Sequence, residues 1–325
     1  MISRMLTRPF GRLGWPVSEV GYGLWGMGGW SGSDDQESLS ALEHAIARGC
    51  TFFDTALAYG DGKSEQLLAQ ILARHRDQRL IVATKIPPKN RKWPGVSSDS
   101  IDAVFPPDHI RESTETSLKN LGVSSIDVQQ FHVWDDTWTA DDKWQRTVAD
   151  LKREGLVKAI GISLNRWEPA NGLRALRTGL IDSVQVVYNV FDQNPEDELF
   201  PLCRELAIAV IARVPFDEGS LTGTLTRTSR WPVGDWRNLY FTPANLADTL
   251  DRVEALTGDL PTGMSMPETA LRFILACPEV TTVIPGMRKP RHVERNIAAS
   301  DGNQLDLKLL GTLRGHRWVR RTVIE

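Results

Sequence analysis

The sequence predicts an α/β fold, a (β/α)8 TIM barrel, from three observations. Eight short apolar runs rich in Val, Ile or Phe are spread along the chain, as expected for parallel strands buried on both faces. The segments between them show helical periodicity, so strand and helix alternate. The chain has 325 residues, enough for one barrel, which typically needs about 250. Right-handed crossovers between eight parallel strands close most simply into a barrel.

The apolar runs define eight predicted strands. They cover Glu19 to Gly23, Cys50 to Asp54, Leu80 to Lys85, Ile126 to His132, Ala159 to Ser163, Ser183 to Tyr188, Ala209 to Arg213 and Thr281 to Pro285. A doubly wound open sheet is the alternative, because a strand–helix pattern does not by itself show that the sheet closes.

The first predicted helix follows a capping box at 33–36, Ser-Asp-Asp-Gln. Leu39, Leu42 and Ile46 then share one helical face, and Gly49 follows the last turn. Similar signals predict helices over 64–74, 107–121, 144–154, 171–178, 196–207, 243–256 and 267–276.

Three segments exceed a minimal barrel, and we predict one domain over residues 1–325. The segment from Phe10 to Gly21 is expected to form a β-hairpin across the barrel bottom. The loop from Pro87 to Pro107 and the stretch from Glu218 to Pro243 follow strands, so we expect them to extend over the C-terminal face. The C-terminal tail is counted with the third segment but follows no strand.

Composition excludes several classes of partner. A formal charge of −3 with interspersed acidic and basic residues offers no field for nucleic acid. Cys50, Cys203 and Cys277 lack metal-like spacing, so we expect a reduced protein without a metal. No apolar stretch is long enough for a signal peptide or membrane span. We therefore predict a cytoplasmic enzyme with a small-molecule substrate. The sequence predicts no oligomeric state.

Asp54, Tyr59, Lys85 and His132 lie at or just past the C-terminal ends of predicted strands, where a barrel places its chemistry. An unpaired buried carboxylate or ammonium costs several kcal/mol, so we expect Asp54 and Lys85 to pair. A purely structural ion pair is the alternative. The Lys85 cation is predicted to lower the pKa of Tyr59 from its usual value of about 10.

Such a phenol could donate a proton to a carbonyl oxygen while a hydride adds to the carbon. The hydride requires a nicotinamide. No G-x-G-x-x-G follows a strand, and the Gly-rich segment 26–29 fits neither a Rossmann nor a P-loop site. The cofactor must therefore be held in another way.

From near its N-terminus to about Ser300 the chain resembles an aldo-keto reductase. The matching motifs are Phe53-Asp54-Thr-Ala with Tyr59, Thr84-Lys85, His132, Gly161-Ile-Ser163, Gln185 with Tyr188-Asn189, Gly219-Ser-Leu-Thr-Gly223, Ile284-Pro-Gly-Met-Arg288 and Asn296. The resemblance implies that Tyr59 is the general acid, that Lys85 lowers its pKa while paired to Asp54, and that His132 orients the carbonyl or assists proton transfer.

The resemblance also implies NADPH/NADP⁺ as cofactor. It places the nicotinamide carboxamide near Ser163, Asn165 and Gln185, and the adenosine 2′-phosphate on Arg288, which favours NADPH over NADH. The other implied cofactor contacts are Trp25, Gly26, Asp54, Arg213, Pro215, Phe216, Gly219, Leu221, Gly223, Gly286, His292 and Asn296. Loop capping by Asn165 and Gln185, a plain turn at the glycines and a solvated Arg288 are the alternatives.

The chain departs from the family pattern at several positions. Leu164 separates Ser163 from Asn165, and Arg213 stands where a tyrosine often stacks on the nicotinamide. Arg213 either stacks on that ring, where its charge would disfavour NADP⁺ relative to NADPH, or points into the substrate pocket. His292 and Arg295 occupy positions that commonly hold Gln and Glu.

Eleven tryptophans suggest an aromatic cup for an aromatic or sugar-like carbonyl. Those on strand ends or loops are Trp25, Trp30, Trp93, Trp134, Trp138 and Trp231. The expected substrate contacts are Tyr59, Trp93, His132 and Trp134. Packing of the loops is the alternative for the tryptophans, and Asp135 and Asp136 either receive substrate hydroxyls or are solvated.

The expected function is reversible, NADPH-dependent reduction of an aldehyde or ketone. Two alternatives come from other classes of protein. One is an NADPH-binding sensor or regulatory module with slow turnover. The other is a lyase that forms a Schiff base through Lys85.

Overall fold

The computed structural model describes residues 5–29 and 32–320, which form a barrel of eight parallel strands. The barrel strands are β3 (Tyr22–Gly23), β4 (Phe52–Asp54), β5 (Ile81–Ile86), β6 (Ile126–Phe131), β7 (Val157–Ser163), β8 (Ser183–Val187), β9 (Ala209–Arg213) and β10 (Val280–Val283). Neighbours in sequence pair in parallel, and parallel bridges join 20 to 283 and 23 to 286. The predicted barrel is therefore confirmed, and the doubly wound alternative is wrong.

Helices follow the strands around the barrel. Their bounds are α1 (Asp35–Ala47), α2 (Lys63–Arg74), α3 (Ile101–Val104), α4 (Pro107–Leu121), α5 (Asp142–Arg153), α6 (Leu173–Arg177), α7 (Leu199–Leu206), α8 (Arg237–Tyr240), α9 (Pro243–Asp259), α10 (Met266–Leu275), α11 (Pro290–Ile297) and α12 (Leu307–Arg314). The capping residue of α1 is Asp34, whose side chain accepts from the Glu37 N–H at 2.7 Å, so the predicted box is shifted by one residue from Ser33.

The N-terminal hairpin consists of β1 (Thr7–Phe10) and β2 (Trp15–Ser18), which pair antiparallel. Phe10 and Val17 are fully buried and pack against inward-facing strand residues such as Ile81 and Val128. The predicted hairpin at the barrel bottom is confirmed, although it begins three residues earlier than Phe10.

Strand alternation determines which side chains reach the mouth of the barrel. Successive strand residues point to opposite faces, and Ala209 and Ile211 of β9 pack inside the barrel. Arg213, two residues further on, therefore projects into the mouth. The same alternation gives an inward-facing polar layer made of Asp54, Lys85, Gln130, Ser163, Gln185 and Arg213.

None of the helices that the structure describes is both long and apolar enough to cross a bilayer.

Candidate active site

The buried pair of Lys85 and Asp54 forms the centre of the polar layer. Lys85 Nζ donates to Asp54 Oδ1 at 2.5 Å and to the Thr55 carbonyl at 2.7 Å. Asp54 Oδ2 accepts from Gln185 Nε2 at 2.7 Å and Gln130 Nε2 at 3.1 Å. Burial alone would lower the pKa of Lys85, but the adjacent carboxylate leaves that pKa above its ordinary value. The expected pairing is confirmed, and Lys85 is held as an ammonium.

Gln130 is a site residue that the sequence analysis missed. It lies two residues before His132 on β6, so strand alternation points it into the barrel, and that periodicity could have identified it. Gln130 and Gln185 both donate to one oxygen of Asp54, which leaves the other oxygen to Lys85. The two amides thus orient the carboxylate toward the ammonium.

Tyr59 lies in the loop after β4, with its hydroxyl 3.4 Å from Lys85 Nζ. Desolvation by burial raises the pKa of Tyr59, and Asp54 adds to that rise, while Lys85 lowers it only in part. The net direction is upward, so the predicted lowering of this pKa is wrong. Tyr59 is therefore protonated near neutral pH, the state that a proton donor requires.

His132 sits between two aromatic side chains at the mouth. Its ring contacts Tyr59 edge-on at 5.7 Å and Trp93 edge-on at 4.5 Å between centroids. Among the described residues its Nδ1 atom is buried without a hydrogen-bond partner. Burial, followed by the charges of Lys85 and Arg213, holds the pKa of His132 well below its ordinary value. A neutral imidazole can donate through one nitrogen and accept through the other.

Asn165 has a structural role in this conformation. Its side-chain amide donates to the Gly95 carbonyl and to Glu168 Oε2, both at 2.9 Å, which ties the 87–107 loop to the end of β7. Ser163 ends β7 at the mouth, and Gln185 is bound to Asp54. The structure thus supports the capping alternative for Asn165.

The loop after β9 has a strained backbone. Val214, Asp217 and Glu218 have positive φ angles of 56°, 44° and 54°, which non-glycine residues adopt only when their surroundings enforce them. Arg166 supplies part of that restraint, because its guanidinium pairs with Asp217 at 2.7 Å, Glu218 at 3.1 Å and Asp192 at 3.2 Å. Sequence reasoning missed Arg166, since its partners lie on separate segments of the chain.

The same loop carries Gly219, Leu221 and Gly223, which the resemblance implies as cofactor contacts. The N–H groups of Gly219 and Leu221 donate to the Phe216 carbonyl at 2.9 and 3.1 Å, so in this conformation they serve the loop itself. Gly219 and Gly223 have φ angles of +106° and +71°, which favour glycine. Pro215 is buried beside them. The loop backbone alone therefore accounts for both glycines.

A basic surface lies where the resemblance places the adenosine 2′-phosphate of the cofactor. Arg288 is half-buried against Gly26, where an added Cβ would approach Arg288 Cδ to 2.7 Å. No carboxylate of the described residues lies within the 4.0 Å ion-pair distance of Arg288. Burial, followed by its basic neighbours, lowers the pKa of His292. Those neighbours are Arg291, Lys289, Arg295 and Arg288. The concentration of positive charge suits a phosphate group.

Two further predicted cofactor contacts lie near this surface. Gly286 pairs with β3 beside it, and Asn296 is buried in α11.

The tryptophans divide into core and mouth residues. Trp134 is fully buried between Phe131 and Trp144, so the prediction that Trp134 contacts substrate is wrong. Trp138 packs edge-on against Trp134, and Trp231 stacks on Phe241. Trp25 and Trp93 are 47% and 46% exposed. The expected aromatic cup is thus reduced to these two rings, and Trp30 lies outside the described residues.

Asp135 and Asp136 fix the loop after β6. Asp135 accepts from the Thr137 N–H at 2.9 Å, and Asp136 accepts from the Arg174 and Ala175 N–H groups at 2.7 and 3.0 Å. Both carboxylates therefore serve turns and the start of α6, and neither matches the suggested role in binding substrate hydroxyls.

A closed barrel whose C-terminal mouth holds a buried Lys–Asp pair beside a tyrosine and a histidine has the architecture of a (β/α)8 enzyme. The model of the aldo/keto reductase family matches residues 19–316, and the chain belongs to that family and is an oxidoreductase. The NADH-specific methylglyoxal reductase of Escherichia coli K12 is 30% identical over 92% of this chain and 94% of its own length. Probable aldo-keto reductase 1 of Glycine max is 30% identical over 89% and 82%.

Solved structures show the same fold. The holo form of an aldo-keto reductase from Bacillus halodurans has a TM-score of 0.76, 25% identity and 97% coverage of both chains. A glycerol dehydrogenase from Gluconobacter oxydans has a TM-score of 0.75 and 27% identity, with coverage of 96% of this chain and 94% of its own.

Proposed function

We propose that this protein is a reversible, nicotinamide-dependent reductase of aldehydes or ketones in which Tyr59 supplies the proton. The observation that carries the proposal is the contact of the Tyr59 hydroxyl with the buried Lys85 ammonium, 3.4 Å away, beside a neutral His132. When bound, the nicotinamide supplies the hydride that adds to the carbonyl carbon.

The protein's own residues provide the acid catalysis. Tyr59 is protonated at neutral pH and can donate to a carbonyl oxygen placed between its hydroxyl and the His132 ring. The phenolate that remains is stabilised by Lys85, which keeps its charge because Asp54 pairs with it. In the reverse direction, the Tyr59 phenolate accepts the proton of an alcohol.

The state of Lys85 disfavours the lyase alternative. Schiff-base formation requires a neutral amine, whereas Lys85 Nζ donates to Asp54, Thr55 and Tyr59 and its pKa is raised. The ammonium has no lone pair with which to attack a carbonyl carbon.

NADPH is the proposed cofactor because Arg288 and the basic residues around it can meet a 2′-phosphate. The Escherichia coli relative is named NADH-specific, so cofactor choice needs its own measurement. The half-exposed rings of Trp25 and Trp93 support an aromatic or sugar-like carbonyl as the substrate. The cytoplasmic location stays a prediction from the sequence.

Fluorescence titration with NADPH and NADH, followed by stopped-flow mixing with aromatic, aliphatic and sugar-derived carbonyls, tests the proposal. We expect tighter binding of NADPH and its rapid oxidation by one class of carbonyl. Slow oxidation by every carbonyl would favour the sensor module, and failure to bind either nucleotide would overturn the reductase proposal.

The Arg288→Ala variant tests whether this side chain binds the 2′-phosphate. A charge-assisted contact to phosphate is worth about 1.5–3 kcal/mol, so NADPH affinity should fall roughly 10- to 100-fold while NADH affinity changes much less. Arg146→Ala removes the same charge from the exposed face of α5 and should have only a small effect on both nucleotides. Equal losses for NADPH and NADH would show that Arg288 does not touch the 2′-phosphate.

The shifted pKa values of Tyr59 and His132 predict the pH dependence. Reduction needs protonated Tyr59, whose raised pKa keeps its rate level until the pH exceeds about 10, the ordinary tyrosine value. Oxidation of the alcohol needs the phenolate, so its rate should rise with pH through the same range. His132 stays neutral and should give no inflection near its ordinary pKa of about 6.5. Profiles of kcat/KM against pH in both directions measure these changes in rate. A change in the rate of reduction near pH 6.5 would contradict the prediction that His132 stays neutral.

A further inference from the structure

Arg213 brings a positive charge into the mouth of the barrel. It is the last residue of β9 and follows the inward-facing Ala209 and Ile211, so its side chain projects toward the polar layer. One terminal nitrogen donates to the Leu164 carbonyl at 3.0 Å. The guanidinium therefore extends across the end of β8 toward β7.

No carboxylate in the part of the chain that the structure describes pairs directly with Arg213. Among the described residues, no carboxylate lies within the 4.0 Å ion-pair distance of its guanidinium, whereas neighbouring Arg166 pairs with Glu218 and two aspartates. Arg213 Nε is buried without a partner, and its second terminal nitrogen makes no hydrogen bond within the described chain. The second terminal nitrogen is the donor that a ligand acceptor can reach, because Nε is closed off from solvent.

The charge of Arg213 acts on the reacting end of the site. After burial, the charges of Lys85 and Arg213 hold the pKa of His132 below its ordinary value, and Arg213 opposes part of the rise that burial causes in the pKa of Tyr59. Lys85 is paired with Asp54. Arg213 is thus the cation of the polar layer that lacks a paired carboxylate.

We propose that Arg213 binds an anionic group on the substrate, so that the site selects aldehydes or ketones that carry a carboxylate, such as oxo acids and formyl acids. The guanidinium has free N–H groups in a planar fork, which matches the two oxygens of a carboxylate. The inference rests on the proposed function, because it identifies the substrate class of the same site.

Two aldehydes that differ in charge and by one methyl group test this proposal: 4-formylbenzoate and its methyl ester. For the wild-type protein we expect kcat/KM to be at least about tenfold higher for the acid. In Arg213→Gln this ratio should fall to about one, and Arg213→Lys should keep part of the preference because it keeps the charge. Arg146→Gln removes the same charge from the exposed face of α5 and should leave the ratio unchanged.

A binding measurement separates the two proposals. Benzene-1,4-dicarboxylate cannot be reduced, and its binding to the protein with and without NADPH can be followed by tryptophan fluorescence. We expect Arg213→Gln to weaken this binding at least about tenfold while thermal melting shows that the variant is folded. Failure of the wild type to oxidise NADPH with any carbonyl of the panel would contradict the reductase proposal alone, because the dicarboxylate titration would still test Arg213. An acid-to-ester ratio or dicarboxylate affinity that does not depend on Arg213 would overturn this inference, as would an effect of Arg213→Gln confined to nucleotide affinity.

Discussion

Tyr59→Phe is expected to lower kcat for carbonyl reduction by about 10²- to 10⁴-fold, the usual contribution of a positioned general acid. The substitution removes the hydroxyl that contacts the Lys85 ammonium and leaves the ring that packs edge-on against His132. Affinity for the nucleotide should change little, because the phenol oxygen acts on the carbonyl. Single-turnover oxidation of bound NADPH separates the chemical step from binding.

Tyr188→Phe is the matched control for this variant. The Tyr188 hydroxyl is buried and donates to Glu196 at 2.5 Å, away from the mouth. Its loss should cost about 1 kcal/mol of unfolding free energy and should leave turnover unchanged. Turnover by Tyr59→Phe equal to that of the wild type would show that another group donates the proton.

The fold could be predicted because its main signals are local. Apolar runs, helical periodicity and Gly122 after α4 are visible in the sequence, and Gly122 has the expected positive φ of 65°. Helix α12 was not predicted, because Leu307 to Arg314 follows no predicted strand. The ends of strands also moved by one to three residues, since hydrogen-bond pairing with neighbours decides where a strand begins.

The candidate site could be predicted only where a residue follows directly from a strand end. Asp54, Lys85 and His132 meet that condition. Gln130 lies two residues before His132, and only the alternation of inward-facing residues along β6 would have indicated it. The role of Arg166 depends on contacts with distant segments of the chain. The direction of the Tyr59 pKa shift depends on a competition between desolvation and charge, so it required the three-dimensional burial of the phenol. The burial of Trp134 likewise depends on packing that the sequence does not show.

The pair of Asp54 and Lys85 predicts a large effect on stability as well as on turnover. Lys85 is fully buried and Asp54 nearly so, so removing one partner leaves a buried charge without its counter-ion. Lys85→Met and Asp54→Asn should each lower the free energy of unfolding by about 3–5 kcal/mol. Urea denaturation measures that loss. Carbonyl reduction should fall in both variants, because Lys85→Met removes the cation beside the phenolate and Asp54→Asn removes the carboxylate that keeps Lys85 charged.

The double variant, Asp54→Asn with Lys85→Met, distinguishes a structural pair from a catalytic one. Removing both charges relieves the penalty of the unpaired group, so the double variant should be more stable than either single variant, with a coupling free energy of at least about 2 kcal/mol. The amide introduced by Asp54→Asn would still offer an oxygen to Gln185 and Gln130, which now donate to the Asp54 carboxylate. Turnover should stay low despite the recovered stability, because the ammonium in contact with the Tyr59 hydroxyl is gone. If turnover instead recovers with stability, the pair serves only to hold adjacent strands, and Tyr59 does not depend on Lys85 for its chemistry.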